Sequence, residues 1–110
     1  MSMFKKWSDA FETKNLEQIT ECLHADYKFV RHQSGTELNK EQMTAMFQGF
    51  IASDNVNVVE KRCLYENDSV MVEHTVMDFA DGTREAVMGF SRLKDGQIIY
   101  SETGATLINN

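Results

Sequence analysis

Proline is absent and cysteine is scarce: the 110-residue chain contains no proline and two cysteines. Without proline, no helix or strand loses a backbone donor to that residue. Cys22 and Cys63 show neither CxxC spacing nor a neighbouring histidine cluster, which argues against a zinc site. We therefore expect two reduced thiols, and we assign no metal and no other cofactor to the chain.

Long apolar runs are also missing, whereas a membrane helix needs about 20 consecutive apolar residues. The N-terminal stretch lacks the apolar run of a signal peptide, because Ser8 and Asp9 follow Trp7 directly. These absences predict a cytoplasmic protein that has no membrane partner.

Positive charge is in deficit, with 11 Lys and Arg residues against 17 Asp and Glu residues and a net charge of −6. An acidic chain repels phosphate backbones, and no basic stripe or aromatic RNA-binding signature offsets this charge. We therefore expect no nucleic-acid partner. The length and the 42% hydrophobic content fit a single domain over residues 1–110.

The first half of the chain shows the periodicity of three helices. Asn15 and Asn39 are each followed three residues later by a glutamine, which is typical of a helix N-cap. The predicted helices run from Ser2 or Met3 to Thr13, from Asn15 to about His24, and from Asn39 to Ser53-Asp54-Asn55. Their apolar stripes, which we expect to be buried, include Met3, Phe4, Trp7 and Phe11, then Met43, Met46, Phe47, Phe50 and Ile51.

The second half of the chain has strand character. A short strand over Tyr27–His32 precedes the third helix, and a meander of four strands begins at Val56. Three turn signals divide the meander: Asn67-Asp68, Asp81-Gly82 and Asp95-Gly96. Long antiparallel strands twist, and a helical layer must cover one face. The predicted class is therefore α+β, a curved antiparallel sheet packed on three helices.

Two-residue hairpins at all three turns would fix the register and the two faces of this sheet. Arg62 would then lie opposite Glu73, and Phe79 would lie opposite Arg84. The mixed, outer face would collect Val56, Val58, Glu60, Arg62, Leu64, Met71, Glu73, Met77, Phe79, Arg84, Met88, Phe90, Arg92 and Ile99. The concave face under the helices would collect Val59, Cys63, Tyr65, Val70, Val72, His74, Val76, Val87, Leu93, Ile98, Tyr100 and Glu102. A bulge in any strand would invert part of this assignment.

The polar residues of the concave face are the candidate site. His74 and Glu102 would lie on either side of Gly89, whose lack of a side chain suits a pocket floor. With Tyr100 they could bind or deprotonate a small molecule, because a carboxylate raises the pKa of imidazole and orients it. The alternative is a structural His–Glu pair between strands, or a register that leaves both side chains exposed.

A further candidate is His32, which ends the first strand at the expected pocket mouth. Either Arg31 or His32 can point inward there, and the pattern leaves this choice open. We thus predict His32, His74 and Glu102 as catalytic candidates. The predicted ligand contacts are Tyr65, Tyr100, Trp7, Phe47, Phe50 and Tyr27.

Three segments carry a family resemblance: residues 23–35, 67–72 and 93–98. With the order of helices and strands, they resemble the SnoaL-like branch of the nuclear transport factor 2-like superfamily. The resemblance implies a cone-like α+β barrel with a pocket between sheet and helices, and commonly a homodimer through the outer sheet face. Members include polyketide cyclases, ketosteroid isomerases, dehydratases and non-enzymatic binding domains, so the fold does not select the function.

The chain departs from the catalytic patterns that this resemblance implies. Where ketosteroid isomerases carry a base near the end of the first strand, this chain offers Arg31 or His32, and Trp7 and Phe11 replace a first-helix tyrosine. The last-strand aspartate of the cyclases is matched only by Glu102. The leading hypothesis is therefore a protein that binds a small apolar or carbonyl ligand, with acid–base catalysis left open. The alternative is a non-catalytic module for dimerisation or protein interaction.

Overall fold

The computed structural model describes residues 2–53 and 56–108, which form three helices and six strands. The helices are α1 (Met3–Glu12), α2 (Leu16–Glu21) and α3 (Lys40–Ala52). The strands are β1 (Leu23–Arg31), β2 (Thr36–Asn39), β3 (Asn57–Glu66), β4 (Val70–Asp78), β5 (Arg84–Lys94) and β6 (Gln97–Ile108). The predicted α+β class is confirmed, and none of these helices is long and apolar enough to cross a membrane.

Side-chain caps start each helix. Asn15 accepts a hydrogen bond from the backbone of Gln18, and Asn39 forms a complete capping box with Gln42, so both predicted caps are confirmed. The carboxylate of Glu66 in β3 also accepts from the Met3 backbone at 2.7 Å, which ties α1 to the sheet. The expected stop signals Asp54 and Asn55 lie outside the described residues.

The sheet has the strand order β2-β1-β6-β5-β4-β3. The meander from β3 to β6 is antiparallel, as predicted. β1 pairs with β6 in parallel, so the complete sheet is mixed. Strand β2 was not predicted; it returns antiparallel to β1 after the loop over residues 32–35. Helix α2 is shorter than expected, because the chain is already in β1 at Leu23.

The core lies between the helices and the concave face of the sheet. Trp7, Phe11 and Phe47 contact one another edge to face, with ring centroids 4.8–5.6 Å apart. The predicted apolar stripes of the helices contribute to this core, in which Met3, Trp7, Met43 and Phe47 are buried. Among the strands, Leu23, Tyr27, Phe29, Met71 and Ile98 complete this core.

The register of β4 differs from the prediction by one residue. At the second turn, the backbone N–H of Phe79 donates to the carbonyl of Thr83 at 2.9 Å, which closes a three-residue loop. Gly82 has a φ of +86° there, as in a type I turn followed by a glycine bulge. Arg84 therefore lies opposite Asp78. At the first turn, the backbone N–H of Asn67 donates to the carbonyl of Val70, and a register shift between Cys63 and Tyr65 then places Arg62 opposite His74.

A bulge corrects the prediction for β6. The turn at Asp95-Gly96 has the expected two residues, and Lys94 pairs with Gln97. The register then shifts between the pairs Leu93↔Ile98 and Arg92↔Tyr100, so that Ile99 is an extra residue in β6. Beyond it, Gly89 lies opposite Thr103, whereas the prediction placed Glu102 there.

These shifts invert the predicted faces over β4 and most of β6. A one-residue shift moves every side chain of a strand to the opposite face. Glu73 and Thr103 therefore point toward the helices, while His74, Tyr100 and Glu102 follow the outer alternation. The predicted inner face is wrong for these segments, but Val87 lines the interior as expected.

Candidate ligand-binding site

A cavity of about 320 Å³ lies between the helices and the concave sheet face. Helices α1 and α3 contribute Trp7, Phe11, Phe47 and Phe50 to its wall, and the sheet contributes Met77. The lining is mostly apolar, with a few polar groups, which is the usual composition of a small-molecule pocket.

Four of the predicted ligand contacts line this cavity: Trp7, Tyr27, Phe47 and Phe50. The apolar stripes of the helices had already indicated burial for Trp7, Phe47 and Phe50. Tyr65 and Tyr100 are not in the lining, and Tyr65 is 57% exposed.

At the end of β1, the side chain of Arg31 lines the cavity. Its guanidinium lies 3.2 Å from the carboxylate of Glu85, which is itself 7% exposed, and it also donates to Gln33. His32 is on the opposite side, where its Nε2 lies 2.8 Å from Glu102 Oε2. The structure thus brings His32 and Glu102 together, but away from the cavity.

The third catalytic candidate, His74, is not a cavity residue either. It pairs with Arg62 of β3 and Met88 of β5 on the outer alternation of the sheet, and its Nδ1 is buried without a hydrogen-bond partner in the described chain. The structure therefore does not unite His32, His74 and Glu102 around one ligand position, and a catalytic role for them stays a prediction.

The acidic group inside the cavity is Glu73, which the predicted register placed on the outer face. Burial raises the pKa of its carboxyl group, and the charge of Lys61 and a hydrogen bond from the Trp7 side chain only partly oppose this rise. Glu73 Oε2 is buried and has no hydrogen-bond partner among residues 2–53 and 56–108. The sequence signal for this residue was the strand alternation itself, read in the correct register.

Lys61 of β3 is the second charged group that sequence reasoning missed. Its Nζ lies 4.9 Å from the ring centroid of Phe11 and 5.9 Å from those of Phe4 and Trp7. Burial lowers the pKa of this amine, and the nearby carboxyl of Glu73 raises it. In the described part of the chain, Lys61 makes no hydrogen bond and no ion pair.

Gly89 lies between two residues of the sheet floor that each carry an unpartnered polar atom in the described chain. Glu73, Gly89 and Thr103 lie in one row across β4, β5 and β6. A Cβ atom at Gly89 would lie 3.4 Å from Glu73 Cγ and 3.8 Å from Thr103 Cγ2, in van der Waals contact with both, so the gap that glycine leaves is about the size of a methyl group. Thr103 Oγ1 is buried and, like Glu73 Oε2, finds no partner in the described residues.

Potential metal ligands do not cluster in the part of the chain that the structure describes. Across residues 2–53 and 56–108, no three His, Cys, Asp or Glu side chains come together to hold a metal ion. Cys22 is buried, Cys63 is exposed, and both are free thiols. The charged residues in the cavity lining are Arg31, Lys61 and Glu73.

Solved structures with this architecture identify the fold as that of the nuclear transport factor 2-like proteins. A protein of unknown function from Mesorhizobium loti has a TM-score of 0.82 at 11% identity, covering 94% of this chain and 88% of its own. A provisionally assigned ketosteroid isomerase from Kribbella flavida has a TM-score of 0.76 at 13% identity, and the match covers 98% of this chain and 78% of the isomerase chain. IdmH from Streptomyces antibioticus, provisionally described as a polyketide cyclase, has a TM-score of 0.73 at 17% identity, and the match covers 94% of this chain and 88% of IdmH. At these identities the likeness establishes the fold alone.

Within this fold class, the amino-acid sequence also identifies the family of the chain. The model of the SnoaL-like domain matches residues 4–101, which is most of the chain. The protein therefore belongs to the SnoaL-like domain family. A comparison with curated proteins finds no match.

Proposed function

We propose that this protein binds a small, largely apolar molecule in the cavity between its helices and its sheet. The observation that supports the proposal is the cavity of about 320 Å³, whose wall is mostly aromatic and aliphatic. A void of this size lies within the usual range of ligand sites, and a dry void left empty would forgo packing contacts. Gly89 keeps the floor open where a larger side chain would enter it.

Acid–base chemistry on such a ligand is compatible with Glu73. Its burial favours the neutral carboxyl, which donates a proton, and the nearby Lys61 supplies a positive charge that stabilises a developing negative charge. If the protein is an enzyme, we infer that its proton transfer takes place at Glu73.

Trp7 provides a direct test, because it is the only tryptophan of the chain and it lines the cavity. We expect N-phenylnaphthylamine, a neutral apolar fluorophore, to quench Trp7 emission in a saturable titration with one site per chain. A titration without saturation would contradict the proposal.

A second function, dimerisation, is supported by the outer face of the sheet. Met88 and Tyr65 are 46% and 57% exposed there, beside the partly buried Val72 and Phe90. Exposed apolar side chains that share one face are typical of a protein-binding surface. We propose that this face forms a homodimer, and the same surface would serve the alternative of a non-catalytic interaction module.

A further inference from the structure

The charges that line the cavity are unequally compensated. Arg31 is paired with Glu85, whereas Lys61 has neither a hydrogen bond nor an ion pair in residues 2–53 and 56–108. Its ammonium group is held among aromatic rings, at 4.9 Å from the centroid of Phe11. A desolvated cation without an anionic partner costs free energy, and aromatic faces recover only part of that cost. While Glu73 keeps its proton, no negative charge in the cavity lining therefore offsets the charge of Lys61.

Hydrogen-bonding capacity is unused close to this cation. Lys61 pairs with Thr75 of β4, which is two residues from Glu73, and all three side chains line the cavity. Glu73 Oε2 and Thr103 Oγ1 are both buried and unpartnered among the described residues, and they lie on either side of Gly89. A single ligand group that accepts several hydrogen bonds would satisfy all three side chains at once.

We propose that the ligand is an apolar monocarboxylic acid whose carboxylate binds between Lys61, Glu73 and Thr103. This inference rests on the proposed ligand-binding function and names its ligand class. The two carboxylate oxygens accept from the Lys61 ammonium, from the neutral carboxyl of Glu73 and from the Thr103 hydroxyl. The apolar body of the acid lies against the aromatic wall of the cavity.

Other ligand charges fit the cavity less well. An amine would meet the ammonium of Lys61 over the same aromatic rings that would otherwise attract it. A neutral ligand would leave Lys61 without a counter-charge. A dianion would leave one negative charge uncompensated, because Arg31 is already paired with Glu85.

Charge balance couples binding to proton uptake at Glu73. Above the pKa of Glu73 in the free protein, its ionised carboxylate offsets the charge of Lys61. Once a ligand carboxylate is bound, Glu73 must be protonated for the site to stay neutral. The other titratable groups near Glu73 are the exposed thiol of Cys63 in β3 and the buried hydroxyl of Tyr27 in β1. Desolvation raises the pKa of both groups above its ordinary value, which keeps them neutral. From α1, Trp7 contributes an indole that does not titrate. One proton therefore enters the site with each ligand.

The first experiment compares naphthoate with naphthamide by isothermal titration calorimetry on the full chain. The two probes share one apolar body, and only naphthoate carries a negative charge. We expect naphthoate to bind roughly 10- to 100-fold more tightly. Equal affinities, or tighter binding of naphthamide, would overturn the inference while leaving the proposed function intact. Failure of both probes and of N-phenylnaphthylamine would reject the proposed function as well.

The second experiment measures the pH dependence of naphthoate binding. Above the pKa of Glu73 in the free protein, affinity should fall about tenfold per pH unit, because each binding event takes up one proton. Calorimetry in two buffers of different ionisation enthalpy should show the uptake directly. Glu73→Gln, which mimics the neutral carboxyl, should retain binding and lose this slope. A flat profile in the wild type, or an unchanged slope in Glu73→Gln, would overturn the proposal.

Lys61 variants complete the test. Lys61→Met should weaken naphthoate roughly 10- to 100-fold and leave naphthamide nearly unchanged, whereas Lys61→Arg should retain a preference for naphthoate. The matched control is Lys94→Met, since Lys94 is exposed at the end of β5. Full naphthoate affinity in a folded Lys61→Met variant would contradict the assignment, as would an equal loss in Lys94→Met.

Discussion

At the scale of one residue, the position of Glu73 in β4 determines that its side chain faces the cavity. Its neighbour His74 has the more familiar catalytic side chain, yet only Glu73 lines the cavity. Burial raises the pKa of the Glu73 carboxyl, so the folded state retains its proton to higher pH than the unfolded chain does. The stabilising effect of this proton is present below the unfolded-state pKa, about 4.3, and is lost as pH rises through the folded-state value.

The first prediction concerns stability and pH at this residue. Glu73→Gln carries no ionisable group, so its free energy of unfolding should lose the decline that Glu73 causes in the wild type as pH rises above about 4.3. Urea unfolding of both proteins between pH 4 and 8 measures the difference, which should grow in favour of the variant. The exposed Glu17→Gln provides the control. A difference that stays constant over this range would contradict a raised pKa.

At the scale of the elements, the helix caps could be predicted from the sequence, whereas the register of the strands could not. The caps at Asn15 and Asn39 were predictable, because a side chain three residues from its partner is a purely local arrangement. The loop closed by Phe79 and Thr83 and the extra Ile99 in β6 were not, because either turn length fits an Asp-Gly pair and a bulge depends on packing.

The functional consequence of these two irregularities is large. Trp7, Phe47 and Phe50 were found from helical periodicity, which a bulge in a strand does not disturb. Glu73 was missed, since a one-residue shift exchanges it with His74. The apolar part of the site was therefore predictable from the sequence, and its charged part required the observed register.

The second prediction tests the loop that sets this register. Gly82 has a φ of +86°, a conformation that a residue with a Cβ atom adopts at a cost of about 1 kcal/mol. We expect Gly82→Ala to lower the free energy of unfolding by about that amount, measured by urea denaturation. Gly104→Ala is the control, because Gly104 has open space around its Cβ direction and no positive φ. Equal losses in the two variants would contradict the role of the turn.

At the scale of the whole molecule, the sheet separates two surfaces with different surroundings. Its concave face lines the cavity, and its outer face presents Tyr65 and Met88 to solvent. We propose that the outer face associates with a second copy, which would remove these side chains from water while leaving the cavity intact.

The third prediction follows for the oligomeric state. Wild-type protein should be a dimer at micromolar concentration, and Met88→Asp should shift it toward the monomer, because a carboxylate would be buried in the interface. Multi-angle light scattering measures both masses. Gln48→Asp, on the exposed side of α3, is the matched control. A monomeric wild type, or a dimer unaffected by Met88→Asp, would contradict the interface.

The occupancy of the cavity is the central claim, and Gly89 gives the most direct measurement of it. Gly89→Leu directs a side chain into the space beside Glu73 and Thr103 without requiring a positive φ, while Gly49→Leu adds the same side chain on the exposed side of α3. In Trp7 fluorescence titrations with N-phenylnaphthylamine, we expect Gly89→Leu to weaken binding at least about tenfold, and Gly49→Leu to match the wild type. Equal affinity in all three folded proteins would show that the probe binds elsewhere.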